Sequence, residues 1–154
     1  MTWLAGPDEA ETVARLLVAF RDHNGKDWPS ANAFLASVER LMERTDADFL
    51  LGSASEDAPP QGVCQLRFRF SVWTASDDCW LEDLFVQESA RGTGVGSALI
   101  EAAFGRARER GCRRIELDTS EANEGALRLY ERHGFSASSK SGAPARDLFL
   151  GRPL

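Results

Sequence analysis

The chain has 154 residues, 43% hydrophobic and 27% charged, the make-up of one ordinary soluble domain. Such a chain buries about 70% of its unfolded surface and needs no metal or disulfide staple. Eighteen Lys and Arg against 24 Asp and Glu leave a net charge of -6, which argues against nucleic acid and for a cationic small molecule as partner.

Residues 2–5 read as a first strand ended by Gly6, with Pro7 placed to start a helix. In that helix Val13, Leu16, Leu17 and Phe20 recur at the spacing of one buried face. A second helix follows Pro29 and Ser30, where Phe34, Leu35, Val38, Leu41 and Met42 repeat the pattern. Residues 49–51 form a strand. After a turn at 57–61 comes another, with Cys64, Leu66, Phe68 and Phe70 alternating with Gln65, Arg67 and Arg69. A turn at 74–78 leads into a strand over 79–86, an antiparallel hairpin with the one before. Then follow a helix at 94–110, a strand at 113–117, a helix at 123–133, a loop at 136–142 expected to be mobile, and a last strand near Leu148 to Leu150. The order is α+β with a partly parallel centre, in a single domain over 1–154.

No apolar run of ~18 residues and no basic-then-apolar leader occurs, so neither a membrane span nor an exported precursor is expected, and the expected compartment is the cytoplasm. Cys64, Cys79 and Cys112 are widely spaced and outside any CxxC, and read as reduced, packed thiols. With His23 and His133 as the sole histidines, no metal site is expected.

Strand 79–86 is apolar on both sides of the pleat, as in a central strand covered by helices, and Glu82 and Asp83 break the pattern. Ionised carboxylates are costly to bury, so two in succession imply either pairing with an arginine such as Arg67, Arg69 or Arg146, or a site. Neighbouring strand residues point to opposite faces, so both acids can aim at one place only through a bulge. Next, Arg91-Gly92-Thr93-Gly94-Val95-Gly96-Ser97 opens an amphipathic helix. Glycines that let the backbone approach an oxyanion, followed by a helix N-terminus, make a phosphate cradle, and Arg91 can add a charge-assisted contact. A P-loop is excluded because no GK[ST] follows. Glu116 lies near where the ribose acid of a dinucleotide fold belongs, but the glycines run GxGxG, and too little chain remains after Asp118 for a doubly wound sheet.

In two segments the chain resembles the GNAT superfamily of acyl-CoA-dependent N-acyltransferases. Arg91-Gly92-Thr93-Gly94-Val95-Gly96 meets that family's signature Arg/Gln-x-x-Gly-x-Gly/Ala. Asn123-Glu124-Gly125-Ala126-Leu127-Arg128-Leu129-Tyr130-Glu131-Arg132-His133-Gly134-Phe135 looks like its Asn…Ala…LeuTyr…GlyPhe helix. The close resemblance covers residues 80–135. It implies the GNAT acyl-CoA N-acyltransferase fold, a mixed α/β arrangement with a mostly antiparallel sheet of six or seven strands flanked by about four helices. Residues 68–73 and Leu81-Glu82-Asp83-Leu84-Phe85-Val86 are similar to diamine and polyamine (spermidine/spermine-type) acetyltransferases, whose strand acids face the amine.

What the resemblance implies is transfer of an acetyl group from acetyl-CoA to a primary amine of a small cationic substrate, directly in a ternary complex and without a metal. An alkylamine of pKa ~10.4 must lose a proton before attack, and Glu82, then Asp83, are the candidates to hold the cation and accept it. In the family this strand bulges and splays so that pantetheine lies beside it. Leu84, Phe85 and Val86 would supply main-chain contacts and an N–H for the oxyanion. Diphosphate would rest on Gly92, Thr93, Gly94, Val95, Gly96 and Ser97, with Arg91 beside it. Tyr130 stands at the family's general-acid position. Asn123 serves as N-cap and cofactor contact, Ala126 lies beside the cofactor, and His133 lies near the phosphates or is simply favoured by the helix dipole. Asp22, Asp27 and Trp28 fall in the family's usual substrate lid, to bind a cation by charge and cation–π contact or to be merely solvated. A homodimer is common in similar proteins. The alternative is a CoA-binding sensor or assembly module without turnover, which loss of Tyr130 or of the strand acids would have indicated; both are present.

Overall fold

The computed structural model describes residues 1–137, 142, 144 and 148–154, and divides into two units, Met1–Leu117 and Asp118–Leu154. In the first unit the chain forms β1 (Thr2–Leu4), α1 (Ala10–His23), α2 (Ala31–Met42), β2 (Ala47–Gly52), β3 (Gly62–Ser71), β4 (Ser76–Val86), α3 (Val95–Glu109) and β5 (Ile115–Glu116). The sheet order is β1-β2-β3-β4-β5, antiparallel throughout except for the parallel β4–β5 pair.

Period-two alternation sorts the strand side chains into two cores. Phe49 and Leu51 of β2, Val63 of β3 and Phe85 of β4 pack with Val13, Leu16 and Leu17 of α1 and Val38 of α2. The intervening Leu50, Cys64, Leu66, Cys79 and Leu81 pack on the other face with Val95, Leu99, Ala103 and Ala107 of α3. The helical apolar stripes are therefore those expected. Ser30 caps α2 by accepting from the Ala33 amide at 3.2 Å, and the Glu9 carboxylate ties β1 to α1 by accepting from Trp3 Nε1 and the Gly6 amide.

One close approach sets where α3 begins. Gly52 and Gly62 are cross-strand partners, and a Cβ on Gly62 would come within 2.8 Å of Leu99 Cδ1 and Val95 Cγ1. Two bare positions side by side thus let the first turns of α3 lie directly on the sheet.

Four expectations need correction. The sheet has five strands among the described residues, not six or seven, and the last strand near Leu148 to Leu150 is absent: these residues lie outside any strand and are 73–85% exposed. β5 is two residues long, shorter than the expected 113–117. The hairpin turn lies before Ser76, since β4 already pairs Asp77 with Phe70 and Asp78 with Arg69. There the ribbon reaches past its helical cover, Arg69 and Phe70 are exposed, and neither face demands apolar side chains. Of the loop expected at 136–142, residues 138–141 lie outside the described residues, as does Arg146.

The second unit holds α4 (Glu124–Arg132). Asn123 caps it as expected, its Oδ1 accepting from the Ala126 amide at 3.3 Å. Gly134 at φ 83° turns the chain out of the helix, so that the Phe135 amide donates to the Tyr130 carbonyl at 3.1 Å and its ring packs edge-on against Tyr130.

Candidate active site

Strand β4 carries the irregularity that the two carboxylates demand. Gln65 pairs with Asp83 and Leu66 with Leu81, which leaves Glu82 as an extra, unpaired position: a β-bulge. The extra residue resets the alternation. Leu81 faces α3, while Asp83 faces the α1–α2 layer beside Phe85 instead of being driven into the α3 core. Glu82 is exposed and Asp83 half-buried.

On that face Asp83 and the buried Gln65 reach a cavity of about 130 Å³ beneath α2, walled by Leu17, Phe34, Val38 and Leu41. Pro29, at the end of the α1–α2 connection, also lines it. Of the expected lid residues, Asp22 is held by Arg21, whose Nε and Nη2 both donate to Asp22 Oδ1 at 2.9 and 2.6 Å. The same guanidinium donates to the Pro29 carbonyl, so one arginine pins both ends of the connection. Asp27 and Trp28 are exposed and outside the cavity lining. Arg67, a candidate partner for the strand acids, lies 3.8 Å from Asp46.

Just before the bulge β4 loses one of its two neighbours. Its parallel pairing with β5 covers Cys79 with Ile115 and Trp80 with Glu116 and then stops, while β4 continues through Leu84 and Phe85 to Val86. The β5 pairing therefore does not extend along the backbone edge from 82 to 86.

Past Val86 a short 3-10 turn, Glu88–Ala90, leads into the glycine loop. Arg91 folds back on the strand, donating from Nε to the Val86 carbonyl at 3.1 Å, and its Nη2 lies 3.3 Å from His23 Nε2. Thr93 Oγ1 donates to the Ala90 carbonyl at 2.6 Å. Gly92 and Gly94 have φ of 77° and 93°, left-handed values that favour glycine, and a Cβ on either would meet open space. Gly94 is the N-cap of α3 and, among the described residues, no side chain caps the helix, so the first-turn amides of Val95, Gly96 and Ser97 can serve an outside acceptor. An open glycine cradle at the uncapped start of a 15-residue helix fits a diphosphate.

In the second unit Tyr130 is buried, one helical turn beyond Ala126. His133 is the C-cap of α4, with its amide donating to the Tyr130 carbonyl at 3.0 Å.

The cysteines are all free. Burial pushes the Cys64 thiol far up and the Cys79 thiol up to about 12, and also raises Cys112, which disfavours the nucleophilic thiolate. Among the described residues no group of three or more His, Cys, Asp or Glu could hold a metal ion, and no helix is long and apolar enough to cross a membrane.

Sequence reading missed the lining residue Gln65 and the paired glycines 52 and 62. For the bulge, which the resemblance implied, a signal is present in the residues themselves: the apolar face runs 79, 81, 84, 86, and the odd step from 81 to 84 requires an extra residue.

Residues 13–135 match the profile of the Acetyltransferase (GNAT) family. An uncharacterized N-acetyltransferase of Bacillus subtilis, YhfO, is 31% identical over 133 residues, covering 85% of this chain and 86% of its own. The thialysine N-epsilon-acetyltransferase of Sus scrofa is 34% identical over 80 residues, 49% of this chain and 46% of the relative, so the match spans about half the length of that enzyme. A crystal structure from Arthrobacter sp. FB24, assigned as an acetyltransferase, superimposes with a TM-score of 0.87 at 30% identity, over 100% of this chain and 96% of that one. The chain belongs to the GNAT acetyltransferase family, and its mixed sheet with four helices is the GNAT fold.

Proposed function

We propose that the chain moves an acetyl group from acetyl-CoA to the primary amine of a small cationic substrate, by direct attack in a ternary complex. The observation that carries this reading is the bulge at Glu82. It turns Asp83 toward a cavity and is followed by a strand edge that β5 does not cover, running toward a glycine cradle that is open among the described residues. Family membership supports acetyl-CoA as the donor, and the matched enzyme of Sus scrofa acts on an amine nitrogen of thialysine.

Bound acetyl-CoA supplies an activated carbonyl. The amides of Gly92 to Ser97 hold its diphosphate, and the edge at Leu84, Phe85 and Val86 aligns the pantetheine and offers an N–H to negative charge on the carbonyl oxygen. Asp83 holds the ammonium group, and Glu82, exposed to water, takes its proton directly or through a water molecule. The freed nitrogen lone pair forms the N–C bond as the C–S bond breaks. Of the two protons the ammonium gives up, one goes to solvent and one to the departing sulfur, delivered by Tyr130. The high thiol pKa values of Cys64 and Cys79 favour direct transfer over an acyl-cysteine route.

The test is release of free CoA thiol, with mass detection of acetylated product, when the chain is mixed with acetyl-CoA and pools of amines. Amine-dependent thiol release is expected. Asp83→Asn removes a charge-assisted hydrogen bond and should raise the amine KM roughly 10- to 100-fold. Tight binding of acetyl-CoA with no amine-dependent thiol release from any pool would establish the sensor reading instead.

A further inference from the structure

The cavity that Asp83 enters has a chemistry of its own. Of the side chains that line it, most are hydrocarbon, and Asp83 is the one that carries charge among those described. Ser37 Oγ is already donating to the Ala33 carbonyl at 2.7 Å, which leaves Gln65 as the other polar group on the floor. Leu17, Val38 and Phe49 are at most 5% exposed, so the inner wall is part of the folded core and preformed, while Ala33 and Ser37 form an exposed rim. Its volume, about 130 Å³, is close to that of an engineered apolar cavity of roughly 150 Å³ that takes up benzene. A second ammonium group seated against Leu17, Val38 and Phe49 would find no second carboxylate in the lining and would lose water on that side. A sugar would leave its hydroxyls unpaired.

Resting on the acetyl-transfer reading above, we propose that the acceptor is a primary monoamine on an apolar stem of up to about six carbons, with its ammonium group at Asp83 and its stem in the cavity beneath α2. This narrows the acceptor away from the diamines that the β4 motif suggested. Charge selects the amine end, and the cavity walls select against a second charge.

The experiment is a ladder of acceptors on the full chain with saturating acetyl-CoA, read as thiol release: ethylamine through hexylamine, benzylamine, 1,5-diaminopentane and an aminoglycoside. Each added methylene should raise kcat/KM about fourfold until the cavity is full. Pentylamine should exceed 1,5-diaminopentane by roughly a hundredfold, since the two differ in one buried charge. Ala33→Leu narrows the mouth on the exposed first turn of α2 and should lower the pentylamine-to-ethylamine ratio at least about tenfold. The ladder on the unmodified chain stands whether or not that variant folds. Preference for the diamine or the aminoglycoside, or a flat ladder, overturns the proposal and leaves acetyl transfer standing. Acetyl-CoA binding, followed by calorimetry, with no ladder amine acetylated also overturns it. Failure to bind acetyl-CoA overturns the parent reading.

Discussion

Replacing Gly62 with alanine tests the geometry that seats α3 on the sheet. The new methyl would lie 2.8 Å from both Leu99 Cδ1 and Val95 Cγ1, and 3.4 Å from the Phe85 carbonyl oxygen. Leu99 is fully buried and Val95 nearly so, packed with Leu50 and Cys64, so neither tip can swing into solvent. Overpacking of this kind costs about 1–3 kcal/mol. The φ of Gly62 lies outside the left-handed region, so alanine fits its backbone and returns about 0.4–1 kcal/mol of chain entropy. At mid-range the net loss is about 1.3 kcal/mol, and at about 2–4 °C per kcal/mol for a chain of this size Tm should fall by roughly 3–5 °C. Because Val95 is also the first residue of α3, the strain should displace the Gly94 to Ser97 amides and weaken acetyl-CoA roughly tenfold by calorimetry. Adding Leu99→Ala, itself costing about 2–5 kcal/mol, should relieve the clash, so the double variant should be less destabilised than the two singles together. A Gly62→Ala chain with unchanged Tm and unchanged acetyl-CoA affinity would refute the close-packing argument.

Tyr130→Phe keeps the ring that packs on Phe135 and removes the hydroxyl, so turnover should drop roughly a hundredfold while acetyl-CoA affinity stays within about twofold; undiminished turnover removes the acid role. In Glu82→Gln no carboxylate takes the proton at that position. The rate should then follow the neutral fraction of the amine, moving the pH optimum upward toward ~10.4, and an unmoved profile argues against Glu82 as proton acceptor. Iodoacetamide at pH 8 should leave Cys64 and Cys79 unlabelled in the native chain. Both thiols are held protonated well above that pH, Cys79 up to about 12, so labelling should rise only as the solution becomes strongly alkaline. Rapid labelling of either near neutrality would mean the α3 core is looser than described.

The helices were legible because each carries a continuous apolar stripe, and Val13, Leu16 and Leu17 or Leu99, Ala103 and Ala107 need only a 3.6-residue period to be seen. The glycine loop was legible for a related reason: positive φ at Gly92 and Gly94 leaves a compositional trace. Gly52 and Gly62 left none, since their bareness matters only through Leu99 and Val95, far along the chain. The cavity was hidden for the opposite reason. Phe34 and Leu41 line it with the same spacing that fills a core, and periodicity cannot tell a wall from a filling. Leu148 to Leu150 misled because three adjacent apolar residues look alike whether paired or exposed.

The count of residues in β4 separates folding from chemistry. Excising Glu82 would rejoin Leu81 and Asp83 as consecutive rungs opposite Leu66 and Gln65, with each remaining side chain still directed to its own layer. Such a shortened chain should melt near the parent temperature, yet it would lack the extra residue that follows the end of the β4–β5 pairing at Trp80. A single-codon deletion at this position would therefore alter the proposed site while leaving the side chains of both cores in their layers.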